Sequence, residues 1–195
     1  KSYKKYVESS QIKVIIGVRR CGKSVLSYLL LKGKPFAYIN FDDEKLANLS
    51  TDDLNDVLEV FYEVYSSFKY ILLDEVQNIA GWELFVNRLQ RQGFNVLVTG
   101  SNANLLSKEL STHLTGRHII LELFPFSFRE FIRYQNIETN NLNALSTKDK
   151  GIIKKKLEEY ILLGGFPDLI KDPVNKNKYL QSLYSDIINK DIIIR

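Results

Sequence analysis

One stretch of eight residues constrains the fold of this chain more than any other. Residues 17–24 follow the pattern G-x-x-x-x-G-K-S, between an apolar run and the start of a helical pattern. This setting is typical of a phosphate-binding loop, the Walker A motif, because glycines let the backbone wrap closely around an anion. A Gly-rich turn between a strand and a helix needs no ligand, but four fixed letters in this context favour the loop. The sequence therefore predicts a bound nucleoside triphosphate.

The residues of this loop have different expected roles. Backbone N–H groups and the positive end of the following helix would hold the β-phosphate. Lys23 would bridge the β- and γ-phosphates, and the Ser24 hydroxyl would ligate Mg²⁺. Three alternatives stay open for Arg19 and Arg20: they pack on the base, contact phosphate, or pair with the acids at 42–43. The predicted nucleotide-binding residues are Gly17, Val18, Arg19, Arg20, Cys21, Gly22, Lys23, Ser24 and Val25.

Five apolar runs alternate with helical patterns over residues 1–124. The runs are Ile12–Ile16, Phe36–Phe41, Tyr70–Leu73, Val96–Val98 and His118–Leu123. This alternation indicates βαβ units and a parallel sheet with helices on both faces, which makes three layers, α/β/α. Together with the phosphate-binding loop at 17–24, it predicts an α/β fold of the P-loop NTPase type. In the first helix, Val25, Leu26, Leu29 and Leu30 are predicted to form the apolar face.

An acidic pair follows the third apolar run directly. Ligands of such sheets bind beyond the carboxyl ends of the strands, so Asp74 and Glu75 are candidate site residues. Asp74 would hold Mg²⁺ opposite Ser24, and Glu75 would orient the attacking water or accept its proton. The alternative is that both acids only cap a strand–helix turn. A glutamate beside the metal-binding aspartate favours water as the acceptor, which predicts hydrolysis.

Two further candidates follow later in the chain. After the fourth apolar run, Asn102 or Ser101 could hydrogen-bond the γ-phosphate or the attacking water, or cap the next helix instead. Arg117, just before the fifth run, could neutralise charge in the transition state, in its own subunit or in a neighbouring one. A surface ion pair of little energetic weight is the alternative for Arg117.

After residue 125 the apolar strand-like runs stop and helical patterns take over. Ser127 and Glu130 have the spacing of a capping box, and helices are predicted near 147–163 and 174–190. Earlier in the chain, Ser50 is predicted to be the N-cap of another helix. The expected organisation is an α/β core at 1–124 and a helical unit at 125–195. The non-methionine start and the abrupt end favour a fragment of a longer protein.

Composition narrows the environment and the partners of the chain. It contains one cysteine and two histidines, which leaves neither an internal disulfide nor a zinc-type cluster, and this suits a reducing cytoplasm. No apolar stretch approaches the length of about 20 residues that spans a bilayer, and no membrane association is expected. The net charge of +4 is mild and predicts DNA binding only as a third choice.

The order of the motifs resembles a known family, the archaeal and bacterial AAA+-type ATPases whose ATPase core precedes a C-terminal domain. The motifs run through nearly the whole chain. They are Gly17–Ser24, Tyr38–Asp43, Leu73–Gln77 with Gly81-Trp82, Thr99–Asn102, Leu114–Arg117, Pro125–Phe131 and Gly164–Pro167. The resemblance implies ATP as the nucleotide, the strand order 5-1-4-3-2, and a helical lid over the nucleotide. A second sensor arginine, usual in such lids, has no clear match here; Arg195 is the only late arginine.

Three functions remain in competition at this point. The first is Mg²⁺-dependent ATP hydrolysis (Walker A Lys23, Walker B Asp74 and Glu75) coupled to a conformational change in a lid or a protein partner. The second is a nucleotide-dependent switch in which binding, rather than turnover, sets the conformation. The third is a DNA-handling motor, suggested by the basic pI of about 9.0. A homo-oligomer is a further expectation.

Overall fold

The computed structural model describes residues 3–101, 114, 116–137, 146–172 and 175–189. Its five strands are β1 (Ile12–Ile16), β2 (Phe36–Asn40), β3 (Tyr70–Asp74), β4 (Asn95–Gly100) and β5 (His118–Glu122). Among the described residues these strands form one parallel sheet in the order β2-β3-β4-β1-β5. Read from the opposite edge, this is the predicted order 5-1-4-3-2. The predicted α/β fold is confirmed.

Seven α-helices are present in the part of the chain that the structure describes. They are α1 (Lys23–Leu31), α2 (Leu54–Val64), α3 (Trp82–Arg91), α4 (Phe128–Tyr134), α5 (Thr147–Leu163), α6 (Pro167–Lys171) and α7 (Lys176–Asp186). The chain divides into two compact units, one of residues 1–17 and 23–123, the other of 18–22 and 124–195. The second unit's role as a lid stays a prediction. No helix in the described ranges is both long and apolar enough to cross a bilayer.

The sheet is the centre of the first unit, and successive residues of a strand pack on its opposite faces. On β3, Ile71 and Leu73 pack in the cluster that contains residues of α2 and α3. Leu72, between them, packs in the other cluster with Leu30 and Leu31 of α1. Strands buried on both faces appear in a sequence as continuous apolar runs, which is why the strands could be predicted from the sequence.

The start of α2 differs from the prediction. Ser50 is not its N-cap, because the helix begins at Leu54 and Asp53 precedes it. The Asp53 carboxylate accepts hydrogen bonds at 2.7 Å from both the backbone N–H and the hydroxyl of Ser50. These bonds close a turn ahead of the helix, so the Ser50 hydroxyl is a donor to Asp53 rather than an acceptor for a helical N–H.

The second unit has a small apolar core of its own around Phe131, Ile132 and Ile170. The predicted capping box at the start of α4 is present, with both reciprocal hydrogen bonds between Ser127 and Glu130. The backbone N–H of Phe126 donates to the carbonyl of Gly165 at 2.7 Å. A Cβ on Gly165 would lie 2.0 Å from the carbonyl oxygen of Phe126, so only glycine fits this close approach.

Candidate active site

Lys23 and Glu75 meet at the carboxyl-end edge of the sheet. Lys23 opens α1, which directly follows β1 and the phosphate loop, and Glu75 comes directly after β3. The Lys23 ammonium donates to the carbonyl of Gly17 at 3.2 Å and lies 3.6 Å from Oε1 of Glu75. Only 4% of the Lys23 side chain and 17% of the Glu75 side chain are exposed. The structure therefore brings two of the predicted catalytic residues together.

The two acids are held by one hydroxyl group, that of Thr99. Thr99 lies fully buried on β4, and its Oγ1 donates to a carboxylate oxygen of Asp74. Oγ1 of Thr99 also accepts a hydrogen bond from the backbone N–H of Glu75 at 3.0 Å. Sequence reasoning assigned no role to Thr99, although its place in a run of polar residues after the apolar part of β4 was a usable signal.

Glu75 has an uncommon backbone conformation. Its φ of 54° and ψ of 47° lie in the left-handed region, which a non-glycine residue rarely adopts and which costs about 1–3 kcal/mol. The chain turns sharply here into a short 3₁₀ turn at Val76–Asn78. Residues with such strain cluster at functional sites, where the surrounding contacts hold them in place.

Gln77 is a site residue that sequence reasoning did not single out. Its side-chain N–H₂ group donates to Oε2 of Glu75 at 2.6 Å and contacts the Ser101 hydroxyl oxygen at 3.3 Å. Ser101 is buried just after β4. Gln77 therefore connects the predicted base with the strand end that carries the predicted sensor. Asn102, the other sensor candidate, lies outside the described residues.

Tyr38, on β2, is a further neighbour of the acidic pair. Burial raises the pKa of the Tyr38 phenol well above its usual range, and the negative charge of Asp74 raises this pKa further. The phenol therefore stays protonated at any physiological pH. Its ring packs at 5.0 Å, centroid to centroid, from the ring of Tyr28 on α1.

Ser24 and Asp74 are the residues that would hold Mg²⁺. A serine hydroxyl and a carboxylate are hard oxygen donors of the kind this cation prefers. The described ranges contain no group of three or more histidine, cysteine, aspartate or glutamate side chains arranged for a metal ion.

The middle of the phosphate loop, residues 18–22, groups with the second unit. Gly22 has a φ of 99° and Arg20 a φ of 62°, so the loop makes two left-handed turns. The Arg20 guanidinium lies 5.1 Å above the ring centroid of Tyr179, whose hydroxyl donates to Asp168 at 3.2 Å. This contact was not among the three alternatives that the sequence left open for Arg20.

The side chains of Val18 and Val25 are more than two-fifths exposed. Cys21 between them is buried, as expected of a small residue that fills space inside a loop. The predicted contacts of the whole loop with nucleotide stay a prediction.

Arg117 lies at the amino ends of the strands, whereas Lys23 lies at their carboxyl ends. Its backbone carbonyl accepts the N–H of Ile12, at the beginning of β1, and its guanidinium contacts Oδ1 of Asn87 at 3.5 Å. The length of β1, about 16 Å at 3.3 Å per residue, separates this end from the phosphate-loop end. The role of Arg117 in neutralising transition-state charge, in its own subunit or in a neighbouring one, stays a prediction, and so does the alternative of a surface ion pair.

Comparison with known protein families matches residues 9–132 to the AAA domain. The chain belongs to the AAA domain family. Membership confirms the resemblance to AAA-type P-loop ATPases that the order of the motifs suggested.

Curated relatives of this AAA domain come from two distant organisms. An uncharacterized protein of Methanocaldococcus jannaschii is 38% identical over 191 residues, which are 95% of this chain and 43% of that protein. An uncharacterized protein of Haemophilus influenzae is 35% identical over 204 residues, covering 97% of this chain and 48% of that protein. The chain thus spans less than half the length of either relative.

Two solved structures share the fold of this AAA domain. The Walker-type ATPase of Pyrococcus abyssi has 18% identity and a TM-score of 0.51, over 91% of this chain and 65% of that one. PCH-2 of C. elegans has 13% identity and a TM-score of 0.55, over 94% of this chain and 63% of that one. At such low identity these likenesses establish the fold alone.

Proposed function

We propose that this AAA domain binds ATP with Mg²⁺ and hydrolyses the β–γ phosphoanhydride bond. One observation carries the proposal: Lys23, Glu75, Asp74 and the Thr99 hydroxyl are connected by direct contacts at the carboxyl ends of β1, β3 and β4. Each residue type matches a need of phosphoryl transfer to water, namely phosphate charge, a base and a metal ligand. Membership of the AAA family supports the same assignment.

The residues divide the reaction between them. Lys23 neutralises charge on the β- and γ-phosphates. Ser24 and Asp74 would hold Mg²⁺, which would supply further positive charge to stabilise the transferred phosphoryl group. Glu75 accepts a proton as the water oxygen bonds to the γ-phosphorus. The bond from the γ-phosphorus to the bridging oxygen breaks, and its electron pair stays on ADP. The Thr99 hydroxyl hydrogen-bonds both Asp74 and the Glu75 backbone and so fixes their relative position.

Substitution of the proposed base separates hydrolysis from binding. Glu75→Gln keeps the size of the side chain but cannot accept the proton, so we expect phosphate release to fall by about 10²-fold or more. The affinity for ATP should be retained, because the substitution leaves the phosphate-binding Lys23 in place. Glu59→Gln, at an exposed position of α2, is the matched control. Turnover in Glu75→Gln equal to that of Glu59→Gln would exclude Glu75 as the base.

A nucleotide-dependent switch is the second candidate. Residues 18–22 of the phosphate loop belong to the same compact unit as residues 124–195. A nucleotide that reorders this loop would therefore act on the second unit directly. Hydrogen exchange of residues 146–172 with and without ATP tests this coupling in Glu75→Gln, where turnover cannot contribute. Identical exchange in both conditions would count against the switch.

A homo-oligomer or another protein partner also belongs to the proposal. Arg117 would then supply positive charge to the nucleotide of a neighbouring copy. Mixing Arg117→Ala with Glu75→Gln should restore turnover in mixed assemblies if the arginine acts between copies, and not if each copy acts alone. DNA binding stays a prediction from net charge alone.

A further inference from the structure

We propose that Gln77 is a catalytic residue of this ATPase: its N–H₂ group orients Glu75, and its carbonyl oxygen accepts a hydrogen bond from the attacking water. The inference rests on the proposed function and deepens it. Two observations carry it, the contacts of the amide nitrogen and the unused acceptor on the same side chain.

The amide nitrogen bridges two parts of the site. It donates to Oε2 of Glu75 at 2.6 Å and lies 3.3 Å from the Ser101 hydroxyl oxygen. Only the N–H₂ group can face the carboxylate, since an amide oxygen there would put two acceptors in contact. The orientation of the Gln77 amide is therefore determined by its partner.

The two carboxylate oxygens of Glu75 thus have different neighbours. Oε1 faces the Lys23 ammonium, and Oε2 accepts from Gln77. When phosphate takes up the charge of Lys23, the bond to Gln77 still holds the carboxylate. Oε1 of Glu75 is then available to a water, while Oε2 stays bonded to Gln77.

The amide oxygen of Gln77 is the unused acceptor. It is buried, and no described residue donates a hydrogen bond to it. A buried acceptor without a donor is destabilising, so such groups are rare unless a water or a ligand completes them. The oxygen belongs to the same side chain that holds Glu75, and we place the attacking water between this oxygen and the Glu75 carboxylate.

The step itself needs no further reagent. One hydrogen of the water is donated to the Gln77 carbonyl oxygen and stays on the water, while the other passes to Glu75. The water oxygen bonds to the γ-phosphorus, the bond from this phosphorus to the bridging oxygen breaks, and ADP leaves with the electron pair. Gln77 neither gains nor loses a proton, which suits an amide.

Gln77→Met is the deciding variant, because methionine keeps the shape and removes both the donor and the acceptor. We expect kcat to fall by about 10- to 100-fold with the Kd for a fluorescent ATP analogue changed less than about twofold. Gln77→Asn, which keeps the amide on a shorter side chain, should recover part of kcat. Gln92→Met, at an exposed position after α3, is the matched control and should behave as wild type.

A double-substitution cycle separates catalysis from structural support. In the Glu75→Gln background, Gln77→Met should lower kcat no further, because both residues act on the same water. Independent, multiplicative losses would overturn the inference, and so would wild-type kcat in Gln77→Met. If Gln77→Met fails to fold, Gln77→Leu, which also lacks both the donor and the acceptor, decides in the same way through its kcat and Kd.

The outcomes also distinguish this inference from the function on which it rests. A wild-type chain that binds ATP without releasing phosphate would overturn the hydrolysis proposal and the inference with it. A wild-type chain that hydrolyses ATP at the same rate as Gln77→Met would overturn the role of Gln77 alone.

Discussion

The ammonium group of Lys23 lies 3.6 Å from a carboxylate oxygen of Glu75, and both side chains are largely buried. The proposed phosphate-binding cation and the proposed base therefore neutralise each other. A triphosphate that binds at Lys23 competes with this carboxylate for the same positive charge. Binding of the substrate would thus release the base for its own reaction.

Lys23→Met tests this pairing. We expect loss of ATP binding and of turnover, because methionine cannot neutralise phosphate. Stability should also fall, by about 1–3 kcal/mol, since the Glu75 carboxylate loses its cation. Isothermal calorimetry and urea unfolding measure the two effects.

The double variant Lys23→Met/Glu75→Gln checks the reason for the loss of stability. It should recover much of the free energy of unfolding, because no unpaired charge remains. Lys32→Met, an exposed lysine just after α1, is the control. Additive losses in the double variant would contradict the pairing.

Thr99→Val removes the hydroxyl that joins the acidic pair and keeps the shape of the side chain. Asp74 then loses a donor and the Glu75 N–H loses an acceptor. We expect the free energy of unfolding to fall by about 1–3 kcal/mol. Half-maximal turnover should also need more Mg²⁺, because Asp74 is no longer oriented. Thr99→Ser keeps the hydroxyl and should stay close to wild type in urea unfolding and in Mg²⁺ titration.

Lys13 predicts a pH dependence of stability. It lies fully buried in β1 and donates to the carbonyl of Ser9 at 2.6 Å. Burial lowers the pKa of Lys13 to about 8, although the negative charge of Glu8 opposes the shift. The unfolded chain keeps a lysine pKa of about 10.4, so between about pH 8 and pH 10 it binds more protons than the folded chain. The free energy of unfolding should rise with pH across this window.

Lys13→Met should remove this rise, which amounts to at most about 1.4 kcal/mol per pH unit. Urea unfolding at several pH values gives the slope. Lys69→Met, at an exposed position, should keep the slope of the wild type. A slope in Lys13→Met equal to that in Lys69→Met would rule out the titration of Lys13.

Ser127→Ala tests the capping box of α4. The variant removes the acceptor for the N–H of Glu130 and should destabilise the helix by about 1 kcal/mol. Hydrogen bonds from Ser127 lower the pKa of Glu130, so the carboxylate supports the helix at neutral pH and loses this effect on acidification. Hydrogen exchange of residues 128–134 should therefore be faster in Ser127→Ala at pH 7, with the difference shrinking in acid. Ser182→Ala, exposed on α7, should leave this exchange unchanged.

Local patterns predicted much of the fold and part of the candidate site. The apolar runs located all five strands, because strands buried on both faces must be apolar throughout. The capping box at Ser127 was readable since it depends on two residues three positions apart. Lys23 and Glu75 were predictable as well, because Lys23 is part of the phosphate-loop motif and Glu75 is part of the acidic pair that follows the third apolar run.

Other features depended on residues that are distant in sequence. The first helix buries Ser27 and Leu31, whereas Val25 and Leu29, predicted on its apolar face, are more than half exposed. Periodicity shows that a helix has an apolar side, but the direction of that side depends on how the helix meets the sheet. The contact between Arg20 and Tyr179 joins residues far apart in the chain and had no local signal.

The sequence by itself determined the order of strands and helices along the chain, the phosphate loop and the two acids, because each of these is written in neighbouring residues. Only the tertiary structure decided that the Thr99 hydroxyl joins Asp74 to Glu75. It also decided that the Gln77 amide nitrogen donates to Glu75 while its amide oxygen accepts no hydrogen bond from the described residues. Parallel pairing of β3 with β4 brings these groups together. Hydrogen bonds depend on distances in space, which sequence spacing does not contain when the partners sit on different strands.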